Sequence, residues 1–152
     1  MKNEFVLNLN KKWERPVVKE NELNVLIDTG ALIPISTLSE DILKEVYDAK
    51  MVIDNISISG IGGDDGKCKG KVYVLKLFRL GLISYPNLHV FVPDNRQIIE
   101  FDFLVSATML NNLVVQFDFK NGNMLVQVPD DEQDVKNLVL KDSNGKITVL
   151  YN

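Results

Sequence analysis

The chain has 152 residues, 45% of them hydrophobic and 25% charged, the balance of one globular domain with an ordinary core. A net charge of -4, with Lys and Arg spread along the chain, argues against a nucleic-acid surface. A single cysteine, Cys68, excludes an intrachain disulfide and a cysteine zinc site, and the lone His89, set in the strand pattern Leu88-His89-Val90-Phe91-Val92, argues against a histidine-based triad.

Strand-like runs rich in β-branched and aromatic residues dominate, broken by Gly, Asn, Asp and Pro. Residues 1–22 read as an N-terminal extension to a core spanning 23–128. Asn24 to Ile27 is an apolar strand that runs into Asp28-Thr29-Gly30-Ala31. Thr37-Leu38-Ser39-Glu40 fits a capping box ahead of Ile42, Leu43 and Val46, which recur at helical spacing. Strands are expected at Met51 to Ser59, Lys71 to Leu80 and Leu88 to Val92, with His89 in a structural role on the last.

Beyond these, Ser106 is a good N-cap for a second short helix that carries Met109, Leu110 and Leu113 toward the core. Asn121-Gly122 and Asn144-Gly145 predict tight hairpins, over Val114 to Val128 and Leu138 to Leu150, because both central positions of such a turn favour residues tolerant of positive φ. Between them the run Asp130-Asp131-Glu132-Gln133-Asp134 reads as an acidic linker over 129–134, and 135–152 as a C-terminal hairpin. No internal repeat is visible, and no apolar run is long enough to span a membrane. The default address is cytoplasmic.

Chemistry centres on Asp28. A lone carboxylate is a poor catalyst of amide hydrolysis, which needs one group to take a proton from water and another to give one to the carbonyl. Two carboxylates that close cannot both be ionised, so they share a proton. With one Asp-Thr-Gly per chain, chemistry of that kind at Asp28 would need a homodimer. Some thirty residues on, Ile58-Ser59-Gly60-Ile61-Gly62-Gly63 lies between two strand patterns, where glycine suits a tip that flexes and approaches a peptide. A phosphate-cradling loop fails on spacing, since Ile61 and Asp65 stand where the two glycine patterns need Gly. Each segment also has a plain structural reading: Asp28 as a turn residue, the glycines as a hairpin tip, Ser106 as a cap.

Taken together, three segments in this order resemble the retroviral-type, retropepsin-like aspartic peptidases: Asp28-Thr29-Gly30-Ala31, the glycine-rich 58–63, and Leu104-Val105-Ser106-Ala107-Thr108-Met109-Leu110. The resemblance implies a mostly β, closed-barrel fold of the acid-protease type with one or two short helices. It implies Asp28 as the catalytic carboxylate, Thr29 bracing paired loops across the dimer axis, and Gly30 approaching the substrate. It makes Gly60, Ile61, Gly62 and Gly63 a substrate-covering flap, with Ala31, Leu32, Leu104 and Val105 as pocket walls. The third segment is expected beneath the catalytic loop, and Lys146 to Tyr151 in the dimer interface. Ser106 replaces the family's glycine, Thr108 its Asn or Asp, and Pro34 the Ser or Thr common after the tetrapeptide. Leu32 and Ala107 replace a buried acid–arginine pair, lost together so that no charge is stranded.

The expected protein is thus a homodimeric aspartic endopeptidase acting on peptide or protein substrates, with no cofactor or metal, no nucleic-acid partner and no membrane partner. The same fold as a non-catalytic dimerisation or peptide-binding module is the alternative. A monomeric β-barrel with an accidental motif is a third reading.

Overall fold

Strands buried on both faces read as unbroken apolar runs, because neither face offers polar side chains to water. This is the case at the centre of the molecule. The computed structural model describes residues 3–59, 66–128 and 138–151. Among them are strands β1 (Asn3–Asn8), β2 (Val17–Glu20), β3 (Leu23–Asp28), β4 (Ile35–Ser36) and β5 (Lys50–Ser59), with helix α1 (Glu40–Tyr47) between the last two. There follow β6 (Lys67–Leu80), β7 (Ile83–Pro93), β8 (Phe103–Ser106), a 3-10 turn (Ala107–Leu110), β9 (Val114–Asp118), β10 (Asn123–Val128), β11 (Leu138–Ser143) and β12 (Lys146–Tyr151). The chain is mostly β, as expected.

The expected closed barrel does not form among the described residues. Nine strands make one sheet in the order β11-β12-β5-β6-β7-β4-β8-β3-β2, and three make a second, β1-β10-β9. Closure needs the two end strands to bond to each other. Here β2 pairs with β3 on one side and meets the small sheet through the bridge Leu9↔Val18. Apolar surface is buried by stacking instead. Leu7, Met124 and Val126 of the small sheet share a cluster with Val25, Ile27, Phe103 and Val105 of the large one. On the opposite face Leu26, Phe91, Leu104, Leu138 and Leu140 form a second cluster.

Residues 3–20 are therefore not an appendage. β1 pairs with β10 from Asn3↔Val128 to Asn8↔Asn123, and Val17 and Val18 are fully buried. Asn144 (φ 55) and Gly145 (φ 82) make the expected two-residue turn between Ser143 and Lys146. The Asn121-Gly122 link is longer, with Asp118 facing Asn123 across it. The Asp118 carboxylate accepts from Asn121 N and Nδ2, and of the two residues Gly122 alone has positive φ. The acidic linker 129–134 lies outside the described residues.

Helix α1 starts two residues later than the capping box suggested. Ser39 Oγ accepts from Ile42 N, whereas the Thr37 hydroxyl donates to the Phe101 carbonyl at 2.6 Å. Leu43 is its one buried residue, and Ile42 and Val46 face outward. The second expected helix is a single 3-10 turn that the Ser106 side chain does not cap.

Candidate active site

Asp28 is the last residue of β3. That strand lies parallel to β8, with Asp28 opposite Ser106, and β8 is flanked on its other side by β4 running antiparallel. The two strands around the Asp28 loop, β3 and β4, thus grip a third that neither is connected to locally. Asp102, just before β8, locks this arrangement: its carboxylate accepts from Asn24 N at 2.8 Å and its N–H donates to the Asn24 carbonyl at 3.0 Å.

Within the loop Asp28 Oδ1 accepts from Gly30 N at 3.0 Å, and the Ala31 N–H reaches back to the Asp28 carbonyl at 3.2 Å. These bonds fix the plane of the carboxylate in a local Asx turn. Thr29 and Gly30 are exposed, and Asp28 is half-buried. Among the described residues the Thr29 hydroxyl has no hydrogen-bond partner. A Cβ on Gly30 would stand 3.3 Å from Asp28 Oδ1, a tight contact against the carboxylate itself.

The segment after β8 does pack beneath this loop. Ala107 N donates to the Ala31 carbonyl at 2.8 Å, and Thr108 Oγ1 donates to the Leu32 carbonyl at 2.9 Å. Ser106 Oγ lies 2.5 Å from Thr108 Oγ1. Thr108 spends its one proton on Leu32, so Ser106 must be the donor of this pair. The result is a relay from Ser106 through Thr108 to the loop backbone. Ser106 is 0% exposed, so its extra side chain is accommodated inside the support of the loop and its hydroxyl is satisfied there. Beneath it Tyr85, whose phenol burial pushes far above its usual range, donates to the Met109 carbonyl at 2.6 Å.

A cavity of about 350 Å³ opens beside Asp28, walled by Ala31, Leu32, Ile58, Ser59 and Leu104 among others. Asp28 is the one titratable side chain among its described lining residues. Val105 is not a wall: strand alternation turns it into the main core at 0% exposure, while Leu104 points to the cavity face. Leu32 is 66% exposed next to the site. Gly60, Ile61, Gly62 and Gly63, the expected flap tip, lie outside the described residues, but β5 and β6 form the antiparallel arms that lead to them, paired as far as Ser59↔Lys67.

β12 is placed between β11 and β5, touching β5 in parallel at Lys146↔Ser57. Its hairpin is also held by His89, whose Nδ1 accepts from Leu140 N at 3.2 Å. The hairpin turn at Asn144 and Gly145 thereby comes beside Ser57, Ile58, Ser59 and Lys67, where β5 ends and β6 begins. Local sequence carried no signal for that placement. The paired hydroxyls did leave one, since Ser106 and Thr108 stand two apart in an otherwise apolar segment. No group of three or more metal-ligating side chains occurs among the described residues, nor does a helix long and apolar enough to cross a membrane. Comparison with family models, with curated proteins and with solved structures returns no match.

Proposed function

We propose that the protein is an aspartic endopeptidase that works as a homodimer, with one Asp28 from each chain at the two-fold axis. The supporting observation is that Asp28 stands oriented by Gly30 N at the mouth of a cavity whose described lining holds no other acid or base. Peptide hydrolysis at that place needs a second carboxylate, and a second copy supplies it. The ionised carboxylate takes a proton from water as its oxygen attacks the scissile carbonyl carbon. The protonated carboxyl gives its proton to the carbonyl oxygen. Collapse of the resulting diol breaks the C–N bond, and the leaving amine takes up a proton from the carboxyl pair.

Support for this reading also comes from the resemblance to retropepsin-like peptidases, with the segment after β8 bonded beneath the Asp28 loop. An extended substrate lies in the cleft as an added strand under the β5–β6 hairpin. One observation favours the non-catalytic alternative: the bond from Gly30 N gives Asp28 a turn-forming role that needs no chemistry.

The test is digestion of a diverse peptide mixture from pH 4 to 7, read by mass spectrometry, with sedimentation equilibrium to establish the mass. Cleavage by the wild-type dimer and none by Asp28→Asn is the expected outcome. A folded, dimeric wild type that cuts nothing sinks the peptidase and favours the binding module. A monomer at all concentrations removes both.

A further inference from the structure

Two Asn-Gly pairs stand at hairpin links of this chain, and the fold treats them in opposite ways. At 121–122 the asparagine is held. Asp118 Oδ2 accepts from Asn121 Nδ2 at 2.8 Å, and Asp118 Oδ1 from Asn121 N at 3.0 Å. Gly122 is buried, its carbonyl accepts from Leu9 N at 2.9 Å, and a Cβ on it would stand 2.8 Å from Lys11 Cε. At 144–145 both residues are exposed, and a Cβ on Gly145 would meet nothing within 4 Å. The Asn144 side chain has no hydrogen-bond partner among the described residues.

We infer that Asn144 is a site of spontaneous covalent modification, at which water converts the asparagine to aspartate and isoaspartate through a cyclic imide closed by Gly145 N. The nucleophile belongs to the chain itself, one residue on, so ring closure needs no collision with an outside reactant. Glycine puts no Cβ beside that nitrogen to crowd its approach. The Gly145 nitrogen bonds to Asn144 Cγ, the Cγ–Nδ2 bond breaks, and Nδ2 leaves as ammonia with the proton that Gly145 N gives up. Asp142 Oδ1 accepts from that N–H at 2.7 Å, so a carboxylate already stands where the proton departs. Water then opens the imide. Attack at Cγ restores the ordinary backbone as aspartate, and attack at the main-chain carbonyl leaves isoaspartate, with the chain rerouted through Cβ.

Either product adds a negative charge to a chain already at -4, two residues from Asp142. Isoaspartate also adds a backbone atom to a two-residue turn in which Asn144 (φ 55) and Gly145 (φ 82) set the pairing of Ser143 with Lys146. Lys146 is the residue through which β12 registers with Ser57 of β5. The modification therefore acts on the attachment of the C-terminal hairpin to the large sheet, whether or not the protein cleaves peptides.

The test holds the folded full-length protein at neutral pH over several weeks and follows both asparagines by peptide mapping, with electron-transfer fragmentation to separate aspartate from isoaspartate. Asn144 should convert about tenfold faster than Asn121, the factor that one hydrogen bond to a charged group is worth. The same chain in urea should convert both at comparable rates, since both precede glycine. Asp118→Ala removes the hold on Asn121 and should raise its rate toward that of Asn144, in protein whose circular dichroism spectrum matches wild type. Hydrogen exchange at Leu140 N, which is bonded to His89, should quicken in the isoaspartate fraction. Equal rates in the folded protein, faster loss of Asn121, or an Asn144 that stays intact while the unfolded chain reacts overturns the site. Unchanged exchange at Leu140 overturns its effect on the hairpin.

Discussion

Replacing Thr108 by Val keeps the shape of the side chain and removes one hydroxyl from the relay under the Asp28 loop. Ser106 then loses the acceptor 2.5 Å away, at a position 0% exposed, and the Leu32 carbonyl loses its donor. A stranded buried hydroxyl costs about 1 to 3 kcal/mol and a lost hydrogen bond about 1, so Thr108→Val should destabilise by about 2 to 4 kcal/mol. Ser106→Ala leaves Thr108 bonded to Leu32 and should cost about 1 kcal/mol. The double variant Ser106→Ala with Thr108→Val strands no buried hydroxyl. It should cost about 1 to 2 kcal/mol, less than Thr108→Val alone, although it removes more atoms. Urea unfolding of all four proteins, at one protein concentration so that any dimer equilibrium is held fixed, gives the cycle. Single effects that add to within about 0.5 kcal/mol would refute the relay and mean that the two hydroxyls act independently.

Two further outcomes follow from backbone contact and from burial. Gly70 has no room for a Cβ, which would stand 2.3 Å from the Val92 carbonyl oxygen and 2.6 Å from the Phe91 ring, whereas Gly145 has open space but φ +82. Gly70→Ala should therefore cost about 3 kcal/mol and Gly145→Ala about 1, and denaturant midpoints in the opposite order would contradict the packing described. Burial holds the His89 imidazole below its ordinary value of 6.5. The unfolded chain binds a proton first on acidification, so this contribution is complete above about pH 6.5 and is lost as pH falls toward the lower folded value. Asn places an amide oxygen near the Nδ1 position without titrating. His89→Asn should thus show a flatter stability profile than wild type between pH 7 and 5, and parallel profiles would assign the acid sensitivity elsewhere.

What could be read from the sequence was what is decided within a few residues. Asn144-Gly145 forms the expected two-residue turn, with the Asp142 carboxylate accepting from Gly145 N inside it, whereas at Asn121-Gly122 the Asp118 carboxylate takes both Asn121 N and Nδ2 and the link is longer. Thr37 matched a capping box, yet its hydroxyl and N–H are taken by Phe101 and Asp102, more than sixty residues away, and the cap passes to Ser39. The strand ending at Asp28 was legible from Val25, Leu26 and Ile27. The burial of Val105, the incorporation of β1 and β2 and the open sheet were not, because each depends on which distant strand becomes the neighbour. Of the candidate site, Asp28, Gly30, Ala31 and Leu104 meet at one cavity. The placement of the C-terminal hairpin beside Ser57 had no local signature.

The grip of β3 and β4 on β8 also sets when the site comes into being. The carboxylate of Asp102 meets the backbone of Asn24 across 78 residues of sequence, and the Ala107 and Thr108 bonds to the Asp28 loop span a similar distance. Contacts of such separation form late, after long loops have closed. A nascent chain therefore carries Asp28, Thr29 and Gly30 out of the ribosome long before β8 exists to slot beside them. Until about residue 110 has emerged, the loop has only its local turn bonds from Gly30 and Ala31 and lacks the support of Ala107 and Thr108 beneath it. Whatever Asp28 does, it begins to do only once most of the molecule has been made.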